Sequence, residues 1–223
     1  RGNGLHGDWL PLRRIIAELP RGLPGSLTLN SVVILPEELV SPDSALIEGA
    51  RAAYLYEFHE LRAGLDVRAS CLGGNRGRAR VTEASPDRVL LELELNDPPF
   101  VATPTTLIVA VPRPQTVKKV IQAASMLGAA ALHFVPSEKS PRSYLQSKTL
   151  RPENIREEVL KGLEQSCDSR ELPVTVWKAL WRFTREALPE IQQADSRQAL
   201  SLLPLTTASA GQRLASLAAI PSD

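Results

Sequence analysis

Apolar positions in the middle of the chain predict a strand, a helix and a second strand in succession. Residues 107–111 are an uninterrupted apolar run, which is typical of a strand buried on both faces. Between residues 115 and 127 apolar side chains recur at helical spacing, and Gly128 follows where a left-handed C-cap is expected. A second apolar run covers residues 131–135. The crossover is long enough only for a parallel pair, so this unit predicts a parallel sheet.

The pattern before this unit is different and predicts a small antiparallel sheet or barrel. Apolar and polar residues alternate there, as in half-buried strands, and Leu91, Leu93 and Leu95 share one face. Strands are predicted at residues 31–35, 67–71, 76–82 and 89–95, with a helix at 43–61. Prolines concentrate in residues 96–104, which predicts a linker between two domains.

The pattern after the central unit predicts its continuation as an α/β half-domain. A helix begins at Pro152, and its buried stripe is Ile155, Val159, Leu160 and Leu163. Residues 177–188 are less regular, residues 199–204 predict a third parallel strand, and residues 208–218 predict a short helix.

Composition places the chain among ordinary soluble globular proteins, with 43% hydrophobic and 23% charged residues in 223. No apolar run approaches the roughly 20 residues needed to span a bilayer. Cys71 and Cys167 lie far apart without CxxC spacing, which indicates a reducing compartment. The three histidines are scattered, so no metal-binding cluster is predicted.

The net charge of +1 conceals a basic sector between residues 113 and 151. Glu138 is its one acid, against Arg113, Lys118, Lys119, Lys139, Arg142, Lys148 and Arg151. A basic sector of this kind suits a protein that meets a polyanion with one face. A solvated helix face followed by a basic loop explains the same pattern equally well.

Three arginines alternate on the predicted strand 76–82, namely Arg76, Arg78 and Arg80. They share one face at intervals of about 6.6 Å, so they could follow a phosphate backbone. Alternatively, a turn at residues 86–87 sets Arg80 opposite Glu92 and Arg78 opposite Glu94 as cross-strand ion pairs. Arg76 lies beyond those acids and is therefore the better candidate for RNA. The glycines at 73, 74 and 77 predict a hairpin turn, because they lie between strands and not before a helix.

The loop at residues 137–148 leaves the carboxyl end of a parallel strand, where open α/β sheets bind their ligands. Its hydroxyls, its cations and Tyr144 are suited to contacts with nucleic acid.

Four stretches together resemble the 16S ribosomal RNA (uracil-N3)-methyltransferase family of the knotted (SPOUT) superfamily. They are residues 61–68 with 72–81, residues 110–114 with 126–128, residues 137–140 with Lys148, and residues 162–173 with Glu164-Gln165 and Arg170. The resemblance implies an α/β fold, in which a PUA-like RNA-binding β-barrel precedes a partial SPOUT-type domain with a parallel sheet. The implied boundaries are an N-terminal extension at 1–26, the barrel at 27–97, a linker at 98–105 and the SPOUT-like domain at 106–223.

The same resemblance implies methyl transfer from S-adenosylmethionine to N3 of a uridine in 16S-type ribosomal RNA of the small ribosomal subunit. It also implies a homodimer in the cytoplasm, with no membrane and no metal; an organelle is the alternative if residues 1–25 are the remnant of a transit peptide. The residues expected to contact RNA are Arg76, Arg78, Arg113, Lys139, Arg142, Lys148 and Arg170. Leu203 and Pro204 are expected at the edge of the cofactor pocket, and no catalytic base is assigned.

The sequence departs from the family at the cofactor loops. The family's Gly-Pro-Glu-Gly-Gly loop and Leu-Arg-Thr-Glu stretch do not occur in it, and Leu203 stands where His is usual. We therefore expect either a truncated enzyme or a degenerate relative that binds RNA, or assists ribosome assembly, without catalysis. A small-molecule α/β enzyme is disfavoured, because no phosphate-binding glycine turn follows Val111 or Val135.

Overall fold

The computed structural model describes residues 31–57, 59–101, 103–138 and 140–193, with the backbone alone at 192 and 193. The predicted extension at 1–26, the strand at 199–204 and the helix at 208–218 lie outside these residues. The described part is a mixed α/β structure with a curled six-stranded sheet and a separate three-stranded parallel sheet. This confirms the predicted fold class.

The six-stranded sheet has the spatial order β1-β4-β5-β6-β3-β2. Its strands are β1 (Val32–Ile34), β2 (Leu39–Ser41), β3 (Ser44–Glu48), β4 (Asp66–Cys71), β5 (Arg76–Ala84) and β6 (Arg88–Asp97). The β1–β4 pair is parallel and the other pairs are antiparallel. The sheet is curled around a helix, α1 (Gly49–Glu57), whose Ala52 and Leu55 are buried in its core.

The helix predicted at residues 43–61 is wrong in its first third. Residues 44–48 form strand β3, which pairs with β6 in the register Ala45 to Leu91 and Ile47 to Val89. Ala45 and Ile47 are fully buried. The period-2 alternation of buried residues therefore indicates the strand better than the helix-forming composition of the segment does. The helix begins only at Gly49, whose positive φ of 64° turns the chain out of the strand.

The parallel sheet has the order β7-β8-β9, from β7 (Thr103–Ala110), β8 (Ala129–Val135) and β9 (Val174–Val176). Helix α2 (Pro114–Met126) connects the first two strands, as predicted, and Gly128 ends it with a φ of 65°. The short helix α3 (Arg142–Leu145) and helix α4 (Pro152–Ser166) lie between the second and third strands. The sequence did not predict β9, because a three-residue strand has almost no periodicity to recognise.

The strand predicted at residues 107–111 to be buried on both faces begins earlier than expected and is only partly buried. β7 pairs only with β8 among the described strands, begins at Thr103 within the predicted linker, and leaves Ile108 44% exposed. Helices α2 and α4 cover one face of the sheet, where Leu132, Phe134, Ile121 and Leu163 are buried together. Leu127 was expected on that face, but it caps the helix and is 71% exposed.

The two sheets share contacts at one place. Val33 and Leu72 of the first sheet belong to the hydrophobic core of the second. The Gly73 amide donates to the carbonyl of Ser169 over 2.6 Å, and the Ser70 hydroxyl donates to the carbonyl of Asp168 over 3.1 Å. The predicted hairpin turn at residues 71–75 is therefore also the contact with the loop after α4.

A second compact unit begins at Trp181. Its described part contains most of α5 (Leu180–Glu186) and all of α6 (Leu188–Gln193), a segment predicted only as irregular. No helix among the described residues is both long enough and apolar enough to cross a membrane.

Candidate nucleic-acid interface

The carboxyl ends of β7 and β8 are joined by a serine-centred set of hydrogen bonds. The Ser140 hydroxyl donates to the carbonyl of Val111 over 2.9 Å and lies 2.9 Å from the Ser137 hydroxyl. The Val111 amide donates to the carbonyl of Val135. The loop that follows β8 is therefore fixed against the end of β7, so both loops present their side chains at one edge of the sheet.

Three exposed cations lie on the segments that leave this edge. Arg113 is the N-cap of α2, Arg142 begins α3, and Lys148 begins a short 3-10 turn before α4. None of the three forms an ion pair with another described residue. Exposed, unpaired cations beside a helix N-terminus are suited to contacts with phosphate.

Arg170 lies at the opposite end of the same sheet and is held in place. Its guanidinium donates to both carboxylate oxygens of Asp168, at 2.6 and 3.3 Å, and the Asp168 side chain is only 5% exposed. Asp168 also accepts from the amides of Ser169 and of Arg170 itself. The guanidinium lies so close to Gly128 that a Cβ there would come within 2.4 Å of it. Arg170 therefore holds the loop after α4 against Gly128.

Arg76 lies near that same end, and its side chain is also engaged by other residues of the protein. Its Nε donates to the carbonyl of Pro98 over 3.0 Å, and its guanidinium stacks 3.5 Å from the ring centre of Phe100. Sequence reasoning missed Phe100, although an aromatic residue just after the strand paired with Arg76 was a signal for this contact.

The predicted register of β5 and β6 is confirmed, with Arg78 opposite Glu94 and Arg80 opposite Glu92. The ion pair that Arg80 forms is different, since it joins Asp66 on β4 over 3.5 Å. Arg78 is exposed, with Glu94 on one neighbouring strand and Arg68 on the other.

The residues expected to contact RNA thus form two groups. Arg113, Arg142 and Lys148 lie at the carboxyl end of the parallel strands; Arg170 lies at their amino end, with Arg76 nearby. The seven residues of β8 separate those ends by about 23 Å at 3.3 Å per residue. Lys139, Leu203 and Pro204 lie outside the described residues.

One acid between α2 and α4 is stabilised by several donors. Glu158 is 2% exposed and accepts hydrogen bonds from Gln122 and Lys161, while Lys118 forms an ion pair with it over 3.3 Å. Burial alone would raise the pKa of this carboxyl, but the hydrogen bond from Gln122 and the lysine charges lower it overall. The Glu158 side chain therefore links α2 to α4, and its lowered pKa favours the ionised carboxylate.

The two histidines among the described residues, His59 and His133, lie in the surroundings of different sheets and have different partners. Burial lowers the pKa of His59, which lies just beyond α1 with its ring against Tyr54, and the pKa of His133, which accepts a hydrogen bond from Trp177. Among the described residues no group of three or more His, Cys, Asp and Glu side chains is arranged to hold a metal ion.

Comparison with known proteins agrees with this architecture. The chain is 28% identical over 159 residues to ribosomal RNA small subunit methyltransferase E of Treponema pallidum (strain Nichols), a match that covers 70% of this chain and 59% of that protein. This chain therefore spans less than two thirds of the length of that relative.

Two solved structures share the fold. One is ribosomal RNA small subunit methyltransferase E from Neisseria gonorrhoeae bound to S-adenosyl methionine, with a TM-score of 0.54 and 18% identity, covering 71% of this chain and 66% of that one. The other is the methyltransferase Lpg2936 of Legionella pneumophila with bound SAM, with a TM-score of 0.53 and 13% identity, covering 73% and 68%.

The family described as RNA methyltransferase domain matches residues 101–212, which are half of the chain and contain all three parallel strands. The chain therefore belongs to the RNA methyltransferase domain family, as its resemblance to the ribosomal RNA enzymes predicted.

Proposed function

We propose that this protein methylates ribosomal RNA of the small subunit, with S-adenosylmethionine as the methyl donor and N3 of a uridine as the acceptor. The family match across the parallel sheet carries this proposal. The names of the similar proteins, which specify ribosomal RNA and bound S-adenosyl methionine, support the substrate and the donor.

The carboxyl end of the parallel sheet is the surface that we propose holds the RNA. Arg113, Arg142 and Lys148 are exposed there and unpaired among the described residues, whereas Arg170 and Arg76 are engaged by other groups. Each exposed cation that contacts a phosphate releases counterions and so contributes to affinity. Contacts to phosphate position the RNA but do not distinguish its sequence. Arg78, on the six-stranded sheet, is a candidate for a further phosphate contact.

The described residues do not by themselves outline a cofactor site. The Val111 carbonyl at the carboxyl edge accepts a hydrogen bond from Ser140, and two cavities that described residues line both lie along α4. The donor would supply the methyl group when bound; this chain's described residues would hold and orient the RNA.

The proposed function also implies a domain organisation, an oligomeric state and a compartment. We propose a PUA-like domain at residues 27–97, which would add RNA contacts to those of the parallel sheet, and a methyltransferase domain at residues 106–223. Residues 98–105 would join them, and residues 103–105 of this linker already belong to β7. We also propose a homodimer, and the cytoplasm as the compartment in which it would meet the ribosomal subunit.

A second function is a non-catalytic RNA-binding relative that takes part in ribosome assembly. The observation that favours it is the sequence itself, in which the family's Gly-Pro-Glu-Gly-Gly loop does not occur.

Two assays distinguish these functions. The chain is incubated with methyl-labelled S-adenosylmethionine and small-subunit ribosomal RNA that lacks uridine N3 methylation, and donor binding is measured by calorimetry. Label at N3 of a uridine supports the proposal. Tight binding of RNA with neither donor binding nor labelling supports the non-catalytic function, and absence of RNA binding contradicts both.

A further inference from the structure

A cavity of about 580 Å³ lies between α1 and α4, away from the proposed RNA surface. This volume is within the range of small-molecule sites in proteins. Its walls are partly apolar, with Leu35 and Leu55 on one side and Leu160 on the other, and Tyr54 contributes an aromatic ring. The cavity can therefore enclose a short hydrocarbon chain.

The cations that line this cavity are already paired. Arg51 forms an ion pair with Glu38 over 3.1 Å and donates to the Val33 carbonyl over 2.6 Å. Lys161 forms ion pairs with Glu157 over 2.6 Å and with Glu158 over 3.3 Å. An anionic ligand would have to compete with these partners, so an anion is disfavoured.

Glu164 is the buried acid on the wall, and it forms no ion pair with another described residue. It is only 8% exposed, and its carboxylate accepts no hydrogen bond from a described residue; the Ser31 hydroxyl donates to its backbone carbonyl instead. A buried carboxylate without a donor is unfavourable, and a bound cation would remove that penalty. Burial raises the pKa of Glu164 to about 7, despite the opposing charge of Arg51.

We propose that this cavity binds a primary alkylammonium group, with the charged nitrogen at the Glu164 carboxylate and the methylene chain between Tyr54, Leu55 and Leu160. A free aliphatic polyamine and a lysine side chain of a partner protein both present this chemistry. The site does not depend on the methyltransferase activity, so it can be tested separately from the proposed function.

The pH dependence of binding follows from the groups that face Glu164. These are Arg51 and Tyr54 on α1, Glu38 before β2, and Lys161 and Glu157 on α4, with His59 against Tyr54. Glu153 and Arg156 of α4 line the same cavity, and Arg156 forms an ion pair with Glu37. An ammonium group binds the ionised carboxylate, and with a pKa of about 7 the ionised fraction rises about tenfold between pH 6 and pH 8. Amine affinity should rise by the same factor.

The test is a titration of the full chain with 1,4-diaminobutane, followed by NMR shifts and calorimetry at pH 6 and pH 8. Butane-1,4-diol is the neutral control ligand. Glu164→Gln keeps the shape and removes the charge, and it should weaken amine binding at least tenfold at pH 8. Glu157→Gln is the matched control, since it lines the same cavity with a 58% exposed side chain, and it should change affinity less than twofold.

Thermal unfolding of both variants at pH 8 verifies that they are folded. Equal binding by Glu164→Gln, equal binding of the diol, or no binding of the amine would overturn the proposal. Nα-acetyl-lysine methylamide distinguishes the two sources: tighter binding than diaminobutane indicates a partner's lysine, and weaker binding indicates a free polyamine.

Discussion

The two ends of the parallel sheet use the same kind of residue in different ways. At the carboxyl end, Arg113 is the N-cap of α2, Arg142 begins α3, and both are exposed. At the amino end, Arg170 is fixed by Asp168 against Gly128, and nearby Arg76 is stacked on Phe100. An arginine that contributes to packing is a poor candidate for RNA, because contact with phosphate would disrupt its present partners.

This difference predicts that the residues at one end contribute to the stability of the fold and those at the other end to RNA binding. Substitutions at the amino end should change the free energy of unfolding, whereas substitutions at the carboxyl end should change RNA affinity and leave stability nearly unchanged.

The largest loss of stability is expected from Asp168→Ala. The change removes the acceptor for Arg170 and for the amides of Ser169 and Arg170, and it leaves a half-buried guanidinium without its partner. Breaking such a pair should lower the free energy of unfolding by about 3 kcal/mol.

Asp66→Ala is the matched control, because Asp66 also pairs with an arginine but is 66% exposed; it should lower the free energy by no more than about 0.5 kcal/mol. Urea denaturation measures both. Equal, small losses would show that the amino end is not held together by this pair.

A pH-dependent effect is expected from Glu164, one turn before Asp168. Its pKa of about 7 exceeds the unfolded value of 4.5, so the folded protein binds more protons between these two pH values. Its contribution to stability is therefore complete below about pH 4.5, declines as the pH rises to 7, and levels off above.

The shift corresponds to a loss of at most about 3 kcal/mol at 1.36 kcal/mol per pH unit. Glu164→Gln should abolish this loss, so the variant should gain stability relative to the parent as the pH rises from 5 to 8. Urea denaturation at both pH values tests it, and a constant difference between the two proteins would refute the assigned pKa.

A smaller effect is expected from Arg76→Ala. It removes the stacking on Phe100 and the hydrogen bond to Pro98, which together should contribute about 1 kcal/mol. Arg78→Ala removes the same charge from the exposed face of the same strand and should change stability by less than about 0.5 kcal/mol. If denaturation shows the same loss for both, Arg76 is not a packing residue.

The sequence predicted long periodic segments well. The order and parallel pairing of β7, α2 and β8 were found, as were the first residue of α4 at Pro152 and the register that sets Arg78 opposite Glu94. Each of these rests on local pattern, namely a run of apolar residues, a helical stripe or a hairpin turn.

Features that depend on distant partners were not predictable in this way. Asp168 lies only two residues before Arg170, but the sequence does not show that this pair packs against Gly128, which precedes β8. The exposure of Ile108 is not visible in its apolar run, and the burial of Ala45 depends on its pairing with β6. Tertiary contacts override local propensity at these positions.

The most direct test is the salt dependence of binding to a small-subunit ribosomal RNA fragment, measured for the parent and for Arg113→Ala/Arg142→Ala. Arg80→Ala/Arg88→Ala serves as the charge-matched control, because these two exposed arginines lie on the six-stranded sheet and form ion pairs with Asp66 and Glu83. The log–log slope should fall by about 2 in the first variant, one for each lost phosphate contact, with little change in the control. Unchanged slope and affinity in Arg113→Ala/Arg142→Ala would contradict the placement of RNA at the carboxyl end of the sheet.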